Sequence, residues 1–274
     1  MLCCTTAFAQ EYSDTSLGLR YGTRYREPFN PQYISKNIVS LTHASGYGYG
    51  SNFLNADLLF SDSKDPSSAK ATSGASEIYL VYRHTLDLGK LSGHELKFGG
   101  MRGLGISGGF DYNAKRDAGY NSRKRMLVLG PTLMLEVPGF LNLSLLALWE
   151  SNHPGVSAGA FDPGYPSRRY RFSTHPMLNA SWAIPVAQWS FEGYANFIGT
   201  KGPDETGHPT APETNIDMQL MYDLSGVLGS AKHALRAGLE YQYWHNKFGN
   251  SNRTTSPSGG NTASTPMLRL EYHF

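Results

Sequence analysis

An all-β fold, closed into a transmembrane antiparallel barrel, is predicted by three observations. Apolar and polar residues alternate at period two along most of the chain, the alternating segments run to about ten residues, and the links between them are short and long in turn. The chain has 274 residues, 40% hydrophobic, 12% aromatic and 17% charged, enough for one large domain. No run approaches the roughly 18 uninterrupted apolar residues of a spanning helix. The longest, Met126 to Leu135 and Phe140 to Trp149, have instead the length of a tilted strand crossing a bilayer.

Taken in order, residues 1–9 hold both cysteines, Cys3 and Cys4, ahead of Ala7-Phe8-Ala9, a small-x-small cleavage pattern. They are read as the remnant of a secretory signal peptide, and 10–274 as a single barrel without thiols, suited to an oxidising envelope. Twelve strands are expected at 14–25, 34–45, 51–61, 75–87, 94–107, 124–135, 140–150, 169–183, 188–199, 213–224, 233–246 and 265–274. In the first, Leu17, Leu19, Tyr21, Thr23 and Tyr25 share one face, and Ser16, Gly18, Arg20, Gly22 and Arg24 the other. The tenth sets Ile216, Met218 and Leu220 against Asp217 and Gln219, and the eleventh sets Leu235, Ala237, Leu239 and Tyr241 against Arg236, Glu240 and Trp244. In the last, Leu268, Leu270, Tyr272 and Phe274 oppose Met267, Arg269, Glu271 and His273.

The expected short links are 46–50, 88–93, 136–139, 184–187 and 225–232, and the long ones 26–33, 62–74, 108–123, 151–168, 200–212 and 246–264. Tight turns on the periplasmic side and long loops outside are the pattern of bacterial outer-membrane barrels, with both termini periplasmic when the strand count is even. Aromatic residues near strand ends, among them Tyr21, Tyr25, Trp149, Trp182, Trp189, Phe197 and Tyr272, are expected to form the interfacial girdles. Arg102 is the exception, sharing a face with Leu104 and Ile106; a bulge or a place near the rim would accommodate it.

A net charge of +2, from 24 basic and 22 acidic residues without a dominant block, gives no electrostatic footprint for nucleic acid. The clusters Arg123-Lys124-Arg125 and Arg168-Arg169 are read as charge facing solvent or lipopolysaccharide. Gly103 to Gly108 spells G-x-G-x-x-G, yet no helix pattern follows, so its glycines are read as room in the lumen. Nine histidines form no metal-ligand spacing, and Asp62 and Asp65 are read as solvated loop charge. His43-x-Ser45 places a base and a nucleophile on one strand face, but at the periplasmic rim and without the His-x-Ser-Asn-Gly continuation of the outer-membrane phospholipases. No enzymatic activity and no cofactor is therefore expected.

The expected inner face mixes signs, including Arg20, Arg24, Asp57, Glu77, Arg83, Glu150, Arg169, Arg171, Glu192, Asp217, Arg236, Glu240 and Arg269, with Tyr194 and Trp244. Such a wall suits a narrow pore in which aromatic faces stack a planar solute and charged groups bond its edge. The alternative is a closed structural or adhesion barrel whose charges pair across the interior.

Tyr21-Gly22-Thr23-Arg24-Tyr25, the Glu77 strand, Asn196-Phe197 and Tyr243-Trp244-His245-Asn246 are similar to corresponding pieces of the Tsx-like nucleoside-specific channel-forming family. The resemblance implies a monomeric twelve-stranded outer-membrane barrel with a narrow slot that passes nucleosides passively and without a cofactor. It also implies that Leu270, Tyr272 and Phe274 form the assembly signal read by the barrel-insertion machinery. With the inward parity it points to Arg24, Asp57, Glu77, Arg83, Tyr194 and Trp244 as the lumen residues that meet solute.

Overall fold

The computed structural model describes residues 10–66, 73–156, 168–229, 233–251 and 259–274; the expected signal remnant lies outside them. Twelve long strands are present among the described residues: β1 Gln10–Glu27, β2 Asn30–Tyr47, β3 Gly50–Ser61, β4 Ser76–Asp87, β5 Met101–Arg116, β6 Arg123–Leu135, β7 Phe140–Asn152, β8 His175–Val186, β9 Trp189–Ile198, β10 Glu213–Asp223, β11 Leu235–His245 and β12 Ala263–His273. Each pairs antiparallel with its sequence neighbours. β1 then pairs with β12, with Leu19 opposite Leu270, and β6 with β7, with Leu133 opposite Leu143, so the sheet closes without a free edge.

Closure answers to the solvent. In hydrocarbon each unpaired N–H or C=O costs several kcal/mol, so a sheet can cross only as a sealed cylinder. The alternation then sorts side chains to the two walls. On β12 Leu268 is 64% exposed toward lipid, while its neighbour Met267 is 3% exposed and points inward. Tyr21, Trp149, Trp189, Phe197 and Tyr272 face outward as the girdle reading expects. Trp182 lies across Gly193 and packs on Phe191 with ring centres 5.5 Å apart.

Several boundaries differ from the expected ones. Residues 26–33 form no long loop: β1 and β2 each run 18 residues and meet at a two-residue turn, Pro28-Phe29, with Phe29 at φ 65°. Proline and polar residues there mark a tight turn between overlong strands. Register shifts follow Gly22 and Tyr25. This bulge reverses the parity of the strand end, so Tyr25 is inward and 3% exposed, and Arg24 is outward over the Tyr33 ring. The expectation for both residues is thereby inverted.

On the periplasmic side the link after β4 is longer than expected. Asp87 caps a short helix, Leu88–Ser92, by accepting from the Gly89 and Lys90 amides, and β5 begins only at Met101. β5 then continues through Gly108 and Gly109 to Arg116, into the expected 108–123 link. Arg102 becomes its second residue, beside a register shift, and sits at the rim. The expected eighth strand splits at 172–174; Arg171 pairs with Ser151 of β7 on the outward side, so Arg169 and Arg171 leave the inner face.

Gly130 of β6 has the Leu145 carbonyl oxygen 2.0 Å from where a Cβ would stand. Gly130→Ala is expected to force β6 and β7 apart at this point and to cost about 1–3 kcal/mol. The heat-dependent mobility shift of the folded barrel on semi-native gels reads this as a lowered midpoint.

Candidate functional site

The candidate site is the lumen, whose walls differ in chemistry. From β9 round to β3 the wall is ionic. Arg20 on β1 reaches Glu240 on β11 at 3.0 Å and pairs with Asp57 on β3. Arg269 on β12 binds the other Glu240 oxygen at 2.7 Å and Glu271 at 2.7 Å. Arg236 on β11 continues the chain to Glu271 at 3.2 Å and to Glu192 on β9. Asp217, beside Glu240, accepts from Gln242 at 2.9 Å.

Removing these charges from water is expensive, and the arrangement offsets the cost by giving most of them two opposite partners. Arg20 and Arg269 stand directly across the β1–β12 ladder, an unfavourable like-charge pair that Glu240 bridges. Opposite them, Arg83 and the Tyr79 hydroxyl both donate to Asp111, the hydroxyl at 2.8 Å. Tyr194 on β9 lies within electrostatic reach of Asp57, Arg20, Tyr79 and Arg83.

The external third holds two further ion clusters. Glu27 binds Lys36 at 2.7 Å and Lys247 at 3.2 Å, while Lys115 binds Asp65 at 2.6 Å. Lys201 binds Glu150 at 2.7 Å and Glu213 at 3.5 Å. Burial works against the Lys201 ammonium, but Glu150 and Glu213 outweigh it and hold its pKa above the usual lysine range. Burial prevails at Lys247, which lies below that range despite Glu27. Asp65 is thus a buried partner of lysine, contrary to its reading as solvated loop charge.

Below the Arg83–Asp111 pair, toward the periplasmic end, β4 to β7 present a neutral band to the lumen. A row of hydroxyls crosses β4 to β7, Thr85 to Ser107 at 2.8 Å, Ser107 to Thr132 at 2.6 Å and Thr132 to Ser144 at 2.8 Å. Gly103, Gly105 and Gly109 lie on the same inward face of β5. Beside this band, near the periplasmic end of β3, Phe53, inward by its pairing with Ala44 and Arg83, is 41% exposed.

Of the six lumen residues expected to meet solute, five are inward. Asp57 and Arg83 are held in ion pairs, Glu77 accepts from Asn113, and Tyr194 stands at mid-height. Trp244 lies near the external end, edge-on to Phe248 with centres 5.4 Å apart. Arg24 is outward. Leu270, Tyr272 and Phe274 form an exposed outward strip on and just past β12.

Two buried polar atoms that face the lumen on neighbouring strands lack partners among the described residues: the Trp244 indole N–H and the Asn215 Oδ1 directly across from it. Tyr79, Asp111 and Asn215 were not singled out from sequence. The parity of β4, β5 and β10 carries that signal once the register is known.

His43 and Ser45 lie on the outer surface near the periplasmic end, and the His43 Nδ1 meets the Thr15 hydroxyl at 2.8 Å rather than Ser45. The G-x-G-x-x-G stretch lies inside β5 with no helix after it. No cluster of metal-binding side chains occurs among the described residues.

Replacing Glu240 by Ala leaves Arg20 and Arg269 facing one another without their shared carboxylate. The expected loss is about 3–5 kcal/mol of folding stability, measured by urea unfolding in micelles. Glu240→Gln, which keeps the size and one acceptor, is expected to lose less.

No family model and no curated protein matches the sequence. Among solved structures, an outer membrane channel from Pseudomonas putida F1 superposes over 100% of both chains at 12% identity and a TM-score of 0.50. The translocator domain of the autotransporter NalP from Neisseria meningitidis covers 96% of this chain and 88% of its own at 13% identity and a TM-score of 0.49. The KdgM porin covers 94% and 99% at 10% identity and a TM-score of 0.43. At such identities the likeness is one of fold. Closure, the outward apolar face and the polar interior agree with it: the chain is a transmembrane β-barrel of the bacterial outer-membrane type.

Proposed function

We propose that the barrel is a passive channel for small polar solutes, with nucleosides as the solute class that the family resemblance suggests. The observation that carries this reading is an inward phenylalanine, Phe53, that is left 41% exposed beside Arg83. Along β4 to β7 a solute meets the hydroxyl row of Thr85, Ser107, Thr132 and Ser144, with the Phe53 ring beside it, while the lumen charges, Arg83 and Asp111 among them, are engaged with one another. Further out, the free Trp244 N–H and Asn215 oxygen supply one donor and one acceptor, and the Tyr194 and Trp244 rings supply stacking faces. In this reading the barrel acts as a monomer, and the outward strip ending at Phe274 serves as the signal for membrane insertion.

A closed structural barrel is the second reading. It is favoured by the external ion clusters, in which Lys36, Asp65, Lys201 and Glu150 are each almost wholly buried.

Planar bilayers separate the two. The channel reading expects small, stable openings that added nucleoside blocks; a bilayer that stays silent after verified insertion of folded protein supports the closed barrel. Trp244→Ala is expected to weaken nucleoside block roughly tenfold while leaving the heat-modifiable fold intact. Block unchanged in that variant would remove Trp244 from the solute path.

A further inference from the structure

The outward face of β5 to β8 changes character abruptly at its external end. The last apolar rung there is Phe110, Leu127 and Trp149, which pair across the strands. One rung higher, about 7 Å along the strand, the outward positions are Tyr112, Arg125, Ser151 and Arg171. Arg123 follows on β6, and Arg169 folds over it, donating to the Arg123 carbonyl at 3.3 Å and the Ser151 hydroxyl at 3.1 Å.

Four arginines thus occupy neighbouring outward positions immediately above Trp149. None of them pairs with a carboxylate among the described residues, in contrast to the arginines of the lumen. Arg169 lies within electrostatic reach of both Arg125 and Arg171. Like charges held this close repel, and a fold that wanted only solubility would intersperse acids. The matching rungs of β10 and β11 carry Ile216 and Tyr243, then Thr214 and His245, with no arginine. Apart from Arg24 and Arg26, which stack on Tyr33 at the external end of β1, the outward arginines of the external rim among the described residues gather in this sector, just beyond the aromatic rung.

We infer that Arg123, Arg125, Arg169 and Arg171 form a docking surface for the phosphate groups of an outer-leaflet glycolipid, whose acyl chains lie along Phe110, Leu127 and Trp149. Planar guanidinium forks suit bidentate phosphate binding, and a lipid supplies both the anion and the apolar body that this two-storey surface presents. The inference depends on the transmembrane orientation of the barrel and not on its acting as a channel.

The test uses the full chain folded in neutral detergent micelles, titrated with a bis-phosphorylated glycolipid and, separately, with the same glycolipid stripped of phosphate and with inorganic phosphate. Retention in native mass spectrometry and the midpoint of the heat-dependent gel shift are read together. The phosphorylated lipid is expected to be retained and to raise the midpoint, and the other two are expected to do neither. Arg125→Gln with Arg169→Gln and Arg171→Gln is expected to weaken retention on the order of a hundredfold.

Equal binding of the dephosphorylated lipid would reduce the surface to an apolar contact, and equal stabilisation by inorganic phosphate would make it a free-anion site. Either result, or undiminished binding in the triple variant, overturns the inference. The comparison of lipids on the unaltered chain decides the matter even where the triple variant does not fold.

Discussion

A backbone amide or carbonyl left unpaired in hydrocarbon costs several kcal/mol, and the architecture of this chain follows from avoiding that cost. Pairing of β1 with β12 and of β6 with β7 removes both edges. Once the sheet is sealed, each strand has one wall in lipid and one in the interior, and the period of two stops being a preference. A charged residue is pushed to a rim, as Arg102 is, and only a bulge near a strand end inverts the rule, turning Tyr25 inward and Arg24 outward.

Sorting by polarity creates a second problem, because the middle of the barrel holds its charge on the inside. The chain resolves it by spending charges on one another. Glu240 and Glu271 each hold two arginines, Glu27 holds two lysines, and Lys201 holds two carboxylates. Such struts brace the barrel between β9 and β3, and they also take those groups away from any solute. What remains for recognition is the neutral band and a few polar atoms without partners. That conclusion inverts the intuition that the most highly charged lumen residues are those a solute would meet.

Most of the fold was legible in the sequence, and the failures have local causes. The twelve strands, the even count and the outward faces of β10 to β12 follow from alternation, which a long, regular segment such as Leu268 to Phe274 states without ambiguity. Parity failed at Tyr25 because a bulge leaves no mark in composition, and at Arg169 and Arg171 because a three-residue break interrupts the pairing before β8. The expected link 108–123 begins inside β5: Gly109 lies where the Tyr82 carbonyl of β4 leaves 2.0 Å for a Cβ, so the strand needs glycine in order to continue. The site was less legible than the fold. Five of six chosen residues are inward, but which of them are engaged depends on register across strands far apart in sequence, as with Arg20 and Glu240, 220 positions apart.

The contrast between the two populations of arginine is the most informative electrostatic feature of the molecule. Arg20, Arg236 and Arg269 lie inside, where low polarity makes a lone charge prohibitive, and each has carboxylates within reach. Arg123, Arg125, Arg169 and Arg171 lie outside at the membrane boundary, where water can hydrate them, and none has a carboxylate among the described residues. Solvation alone explains why the outer group survives unpaired, but not why four cations gather on one sector while the rungs of β10 and β11 have none. A counter-charge supplied by the surrounding leaflet explains both. On that view the membrane acts as more than the solvent that forced the sheet to close, because it also completes the charge balance of the outer wall as Glu240 and Glu271 complete that of the inner one.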